Sequence, residues 1–151
     1  AASDVYKRQI KAGAISGARN PLGKKAETHA VAYYESVRHM KTDVARIAKT
    51  TGFSEKEIQD IKNFIFYDKH DLGDGEPKRF EPDFMMAESW KRLINGTPEA
   101  HDITMIKHEI TERKLMCKGY TQDEAHIMAS KQYNYNKEAM EFYGKIKKYR
   151  D

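Results

Sequence analysis

The stretch that most constrains this chain is residues 103–118, ITMIKHEITERKLMCK. Wound as a helix at about 100° per residue, it carries apolar groups on two sides. Ile103, Ile106, Ile110 and Cys117 fall on one side, and Met105, Leu115 and Met116 on roughly the other. Only Lys107, Thr111, Lys114 and Lys118 make a plain solvent strip. A helix that is apolar on two sides has to be covered on both, which places it at the centre of a helical assembly. His108 and Glu112 lie one turn apart inside the second stripe, bordered by Glu109 and Arg113. They are therefore expected to be buried or to line a cleft. A carboxylate withdrawn from water is costly unless something compensates its charge.

The rest of the chain reads as helices separated by strong stops. Helical spacing starts near Ala26 and puts Ala30, Tyr33, Tyr34 and Val37 on one face. Asp43 opens a short helix that Gly52 ends. Ser54 with Glu57 is a capping box for the next helix, whose buried stripe is Ile58, Ile61, Phe64 and Ile65. Residues 68–83, DKHDLGDGEPKRFEPD, form a long acidic loop rich in Gly and Pro. Pro82 suits the first turn of a helix that runs to Gly96. Pro98 and Asp102 mark entry to the helix of the opening stretch, and Thr121 with Glu124 makes a second capping box. A long Tyr- and Lys-rich segment from Asn134 to Arg150 closes the chain. Strand alternation is absent, so the expected fold is all-α, a compact bundle of about six helices. Residues 26–151 make the helical domain, and residues 10–25, Gly-rich with Pro21, a flexible arm or linker. The first nine residues, AASDVYKRQ, resemble translated sequencing-adapter read-through and are set aside as a scar. No Met precedes Met40, and on that reading the chain enters from upstream, as the C-terminal part of something longer.

Two motifs carry chemistry. In the first, Ile47, Ala48, Thr51, Gly52, Phe53, Ile58 and Ile61 match helix-turn-helix spacing within residues 43–66. A DNA-reading helix presents Arg, Lys, Asn or Gln. Here that face offers Glu55, Lys56, Glu57, Gln59, Asp60, Lys62 and Asn63, and phosphates repel its acids. Two helices packed through a tight turn explain the pattern better. In the second, His108 and Glu112 at i and i+4 can share one ion from a single helix face, as the two His of HExxH do. Glu109 would hold the general-base position, and His126 in DEAHIMAS is a third ligand for a divalent metal such as zinc. The competing reading is a hydrogen-bonded core pair, in which His108 or Arg113 compensates Glu112. A metal-free acid–base site is a third arrangement. It would need His108 and His70 with Arg79 or Arg92 to hold a phosphate, and Asp71, Trp90, Tyr133 and Tyr135 are further polar or aromatic residues it could draw on.

Composition narrows the class. The chain has 27 basic and 23 acidic residues interleaved, for a net charge of +4. A nucleic-acid face would segregate its charge; Lys145, Lys147, Lys148 and Arg150 are the one basic cluster, which a solvated helix face explains equally well. A single cysteine, Cys117, excludes an internal disulfide and a cysteine-rich zinc cluster. No apolar run reaches the roughly 18 residues of a membrane span, and neither a signal-peptide pattern, a Gly-rich phosphate loop, a Ser-His-Asp signature nor a CxxC is present.

Three segments together, RFEPDFMMAESWKRL, HDITMIKHEITERKLM and GYTQDEAHIMASKQYNY, resemble the C-terminal module of phage minor head proteins of the MuF-like head-morphogenesis type. The likeness covers approximately residues 26–150. Such proteins resemble polymorphic toxins in layout, a head-assembly domain carrying variable C-terminal domains. The resemblance implies an effector or toxin-like domain, virion-associated or acting in the host cytoplasm. Its partners would be an upstream head-assembly domain of the same chain and an immunity protein or host target. The matching positions are His108, Glu109, Glu112, His126 and Tyr135, with Arg79 and Trp90 upstream. A non-enzymatic virion accessory or interaction domain is the alternative, and a nucleic-acid-binding helical domain the second.

Overall fold

Side-chain caps mark where the helices begin. Ser54 accepts from the Glu57 N–H while Glu57 Oε1 accepts from the Ser54 N–H, and Thr121 and Glu124 repeat the pattern. A computed structural model describes residues 20–146. Seven α-helices are found among them: α1 (Lys24–His39), α2 (Asp43–Thr51), α3 (Glu55–Lys62), α4 (Phe84–Asn95), α5 (Ala100–Cys117), α6 (Gln122–Gln132) and α7 (Tyr135–Lys145). A π-helical turn, Asn63–Tyr67, continues α3. The fold is all-α; the nearest approach to sheet is one isolated bridge, His70 to Lys78. The set-aside residues 1–9, most of the arm and the basic Lys147, Lys148 and Arg150 lie outside the described residues.

Helix α5 is the hub, packing on α3, α4, α6 and α7, while α4 also packs on α1 and α2. One continuous apolar cluster joins Tyr33, Val37, Ile47, Ile61, Phe66, Trp90, Leu93, Met105 and Ile106. The two apolar stripes of α5 are not equally covered. Met105 and Ile106 are fully buried, but Ile103, Ile110, Leu115 and Met116 are only half-buried and Cys117 is exposed. Residues from Cys117 to Thr121 are all exposed, so the last turn of α5 runs out beyond the helices that cover its middle.

Two boundaries differ from the sequence reading. Asp83 is the N-cap of α4, accepting from the Met86 N–H, so Pro82 stands before the helix and not in its first turn. Glu99 is the N-cap of α5, and Asp102 sits in the first turn, where its Oδ2 accepts the Glu99 N–H at 2.8 Å. The closing segment starts at Asn134, where the sequence reading put it. Tyr133 breaks the helix (φ −134°, ψ 86°), and Asn134 caps α7 by accepting from the Lys137 N–H. Asn competes for backbone donors in non-helical conformations, which is why an Asn-Tyr-Asn run starts a helix more readily than it continues one.

The α2–α3 turn has the expected tight form. Gly52 is left-handed (φ 82°), its N–H bonding to Ala48 O, and Ile47, Ile58 and Ile61 are buried beneath it. Lys62, expected on the outer face of the second helix, is instead buried. It pairs with Asp43 at 2.9 Å, and the other Asp43 oxygen accepts from Trp90 Nε1 at 3.1 Å. What α3 shows to solvent is Glu55, Lys56, Glu57 and Gln59.

The π turn anchors the long loop. A helix end leaves its last carbonyls without helical partners, and here side chains capture three of them. Arg38 donates to Phe66 O, Arg79 to Tyr67 O, and His70 Nε2 bonds to Phe64 O at 2.7 Å. His70 also stacks on Phe80 with ring centroids 4.3 Å apart. No helix among the described residues is long and apolar enough to cross a membrane.

Candidate metal centre

Glu112 projects from the middle of α5 and is almost completely buried. Its Oε1 is approached from two sides. His108 Nε2, one turn earlier on α5, lies at 3.1 Å, and His126 Nδ1, on α6, at 2.9 Å. The imidazole centroids are 5.0 Å apart and the rings are steeply inclined to each other. One ligand atom from each of the three residues lies within 4.8 Å of the other two. The Thr121–Glu124 capping box fixes where α6 starts, and so the phase at which His126 turns towards α5.

The break before α7 sets the orientation of His108. Tyr133 O accepts from His108 Nδ1 at 3.0 Å. A carbonyl can only accept, so Nδ1 carries a hydrogen. Nε2 then faces the Glu112 carboxylate either as a second N–H, in an imidazolium, or as a lone pair. A lone pair and a carboxylate at 3.1 Å repel unless a cation stands between them. Either way the pair requires positive charge. A carbonyl that fixes the distal nitrogen of a ligating histidine is the usual outer support of a metal site.

These contacts set the protonation states. Burial alone pushes the Glu112 carboxyl up, but the hydrogen bonds and charge of His108 and His126 outweigh it and hold it well below the usual carboxylate range. The bond to Glu112 raises the His126 imidazole above its ordinary value, against an opposing effect of partial burial. Glu109 behaves in the opposite way. Burial first, then the charges of Glu112 and Asp83, push its carboxyl well up. Among the described residues its side chain makes no hydrogen bond, and its oxygens open on a cleft.

That cleft has a volume of about 330 Å³ and is walled by His108, Glu109, Glu112 and His126, with Tyr135 and Phe80 beside them. The His126 side chain is 53% exposed while Glu112 is 3% exposed, so the cluster is reached from solvent on the His126 side. Tetrahedral zinc bonds of about 2.0–2.1 Å imply donor atoms about 3.3 Å apart. The observed 2.9 and 3.1 Å are slightly tighter. Two imidazole nitrogens, one carboxylate and an open fourth direction are the donor set of a catalytic zinc site.

Other expected participants are elsewhere. His70 and Arg79 bond to backbone carbonyls of the π turn and do not line the cleft. Arg113 turns to Asp60 on α3 at 3.8 Å and leaves Glu112 to the histidines. Arg92 is committed to a separate network. Its Nε and Nη2 donate to Asp102 at 2.8 and 2.9 Å, and it reaches Tyr143 OH and His101 Nε2 as well. Burial lowers the His101 imidazole, which agrees with a neutral ring accepting from Arg92. Trp90 is a core anchor, and Asp71 only closes a turn onto Gly73. The metal-free site of His108, His70 and an arginine is therefore not assembled. Sequence reasoning missed the Tyr133 carbonyl, for which Asn134 as a helix-starting residue was the available signal. It also missed the His101–Asp102–Arg92 network, for which the sequence carries no spacing signal.

No protein-family model matches the chain, and neither a curated protein nor a solved structure matches it. The likeness to phage minor head proteins thus stands on the quoted segments alone. His108, Glu109, Glu112, His126 and Tyr135 line one cleft.

Proposed function

We propose that this chain is a single-metal hydrolytic domain, serving as the effector-type C-terminal module of a phage minor head protein. The observation that carries the hydrolytic reading is the convergence of His108 Nε2, Glu112 Oε1 and His126 Nδ1 at the wall of an open cleft. An unpaired carboxyl, Glu109, stands beside them. A divalent ion held there would supply Lewis acidity and bring a bound water into the neutral titration range. Glu109 would take a proton from the attacking water as its oxygen bonds to the electrophilic centre, then pass that proton to the leaving atom as the scissile bond breaks. Positive charge next to Glu112 favours ionised Glu109, so loading the site also prepares its base. The head-protein reading rests on the resemblance of the three quoted segments. Its partners on that reading are an upstream head-assembly domain and an immunity protein or host target.

The second reading, a non-enzymatic accessory or interaction domain, draws on the 2.9 and 3.1 Å contacts. They are hydrogen-bond lengths, and protons alone can satisfy them. Metal content and host growth separate the two. After dialysis against zinc, the protein should retain one ion per chain and lose it in His126→Ala. Expression should arrest growth, and Glu109→Gln should abolish the arrest while keeping zinc and far-UV circular dichroism. A folded protein that takes up no zinc leaves the non-enzymatic reading.

A further inference from the structure

The composition of the cleft indicates what it accepts. Among the described residues no Lys or Arg lines it. Four carboxyl groups do: Glu81, Asp83, Glu109 and Glu112. A phosphodiester needs cationic partners along its length, and the nearby arginines are spent on Asp102, Asp60 and the π turn. Phe80, the aromatic ring at the rim, is already stacked by His70 and offers one face fewer to a base. Beside the two histidines and the tyrosines Tyr34 and Tyr135, the polar lining includes Gln122, Ser130 and Asn136, side chains that pair both the N–H and the C=O of an amide. Met85, Met86 and Ile65 supply an apolar wall, and methionine adapts to varied side chains.

Acidity alone would not make a substrate site. The independent observation is Glu109, more than nine-tenths buried, without a hydrogen-bonding partner and facing into the same space. No protein group hydrogen-bonds it, so an entering peptide can pair with it, a carbonyl with the carboxylic acid or an N–H with the carboxylate.

We infer that the cleft binds a peptide segment carrying a basic side chain, its amide backbone held against Glu109, Gln122 and Asn136 and its cationic group at Glu81 and Asp83. Binding is independent of the hydrolytic reading; only the later step, cleavage of an amide, rests on it. In that step water is added across the C–N bond, hydroxyl to the carbonyl carbon and proton to the nitrogen.

The test uses binding to the metal-free full chain in EDTA, measured by fluorescence anisotropy. The probes are dansyl-Phe-Lys-Ala amide, dansyl-Phe-Glu-Ala amide and a fluorescein-labelled ten-nucleotide oligouridylate. Two partly exposed carboxylates that attract lysine and repel glutamate should give about a tenfold preference for the lysyl peptide. The pair Glu81→Gln with Asp83→Asn should remove most of it, Asn preserving the cap of α4. Equal binding of the two peptides, no measurable binding of either, or tighter binding of the oligouridylate overturns the inference. A protein with the preference and no zinc would sink the hydrolytic reading alone, and one with zinc and no preference would sink this inference alone.

Discussion

At the scale of the residue, Glu112 organises the chemistry. It is a buried carboxylate kept ionised by two imidazoles, and any cation that replaces their protons must compete with those protons. His126 has a raised pKa, so near pH 6.5 it is mostly protonated and its proton has to leave before Nδ1 can ligate. Zinc affinity should therefore rise with pH above about 6.5 and level off once His126 is neutral. Calorimetric titrations in buffers of different ionisation enthalpy should show proton release on binding that shrinks over the same window. A pH-independent affinity between about pH 6 and 8 would mean that His126 is not a ligand. The burial of His108 and Glu112 was legible in the sequence because two apolar stripes leave little of a helix for water. His126 was legible as a candidate because it is a histidine on the next helix in the chain. The Tyr133 carbonyl was not, because a backbone acceptor has no letter of its own and becomes available only where a helix breaks. His70 misled because histidine in an acidic loop looks chemical, whereas here its Nε2 serves a π-turn carbonyl.

Elements are also tied to one another by buried ion pairs. Asp43 at the start of α2 reaches Lys62 at the end of α3 and Trp90 in α4, so one carboxylate ties three helices. Desolvating such a pair is expensive, and removing one partner strands the other charge without water. Lys62→Met should lower the unfolding free energy by about 3–5 kcal/mol, read from the shift of a urea midpoint at constant slope. Adding Asp43→Asn to that variant should recover part of the loss, because Asn can still accept from Trp90 Nε1 without carrying a charge. If the single variant unfolded with the wild type, the pair would be making no net contribution. Helix existence was readable from spacing and caps, and the described residues are all-α around one long loop. Which charged residues turn inward was not. Lys62 reads as an outer-face residue of a two-helix motif, and only the distant Asp43 makes its burial tolerable.

For the whole molecule, the cleft and the core share α5, so occupancy of the site should register in global stability. A ligand that binds only the folded chain stabilises it by mass action. At about a hundred times its dissociation constant, zinc adds about 2.7 kcal/mol, which for a domain of this size raises the melting temperature by about 5–11 °C. The increase should track free zinc concentration and reverse with EDTA. Glu112→Gln keeps the shape of the side chain but removes the shared carboxylate, and it should abolish the shift even where the variant itself is stable, since Gln no longer demands a cation between two histidines. His70→Ala should keep the full shift on a lowered baseline, because His70 braces the long loop through Phe64 O and Phe80 and contributes nothing to the cluster. An equal shift in Glu112→Gln would place zinc elsewhere on the surface, where His39 beside Glu35 is an exposed alternative, and the cluster on α5 and α6 would then be an internal ion pair and nothing more.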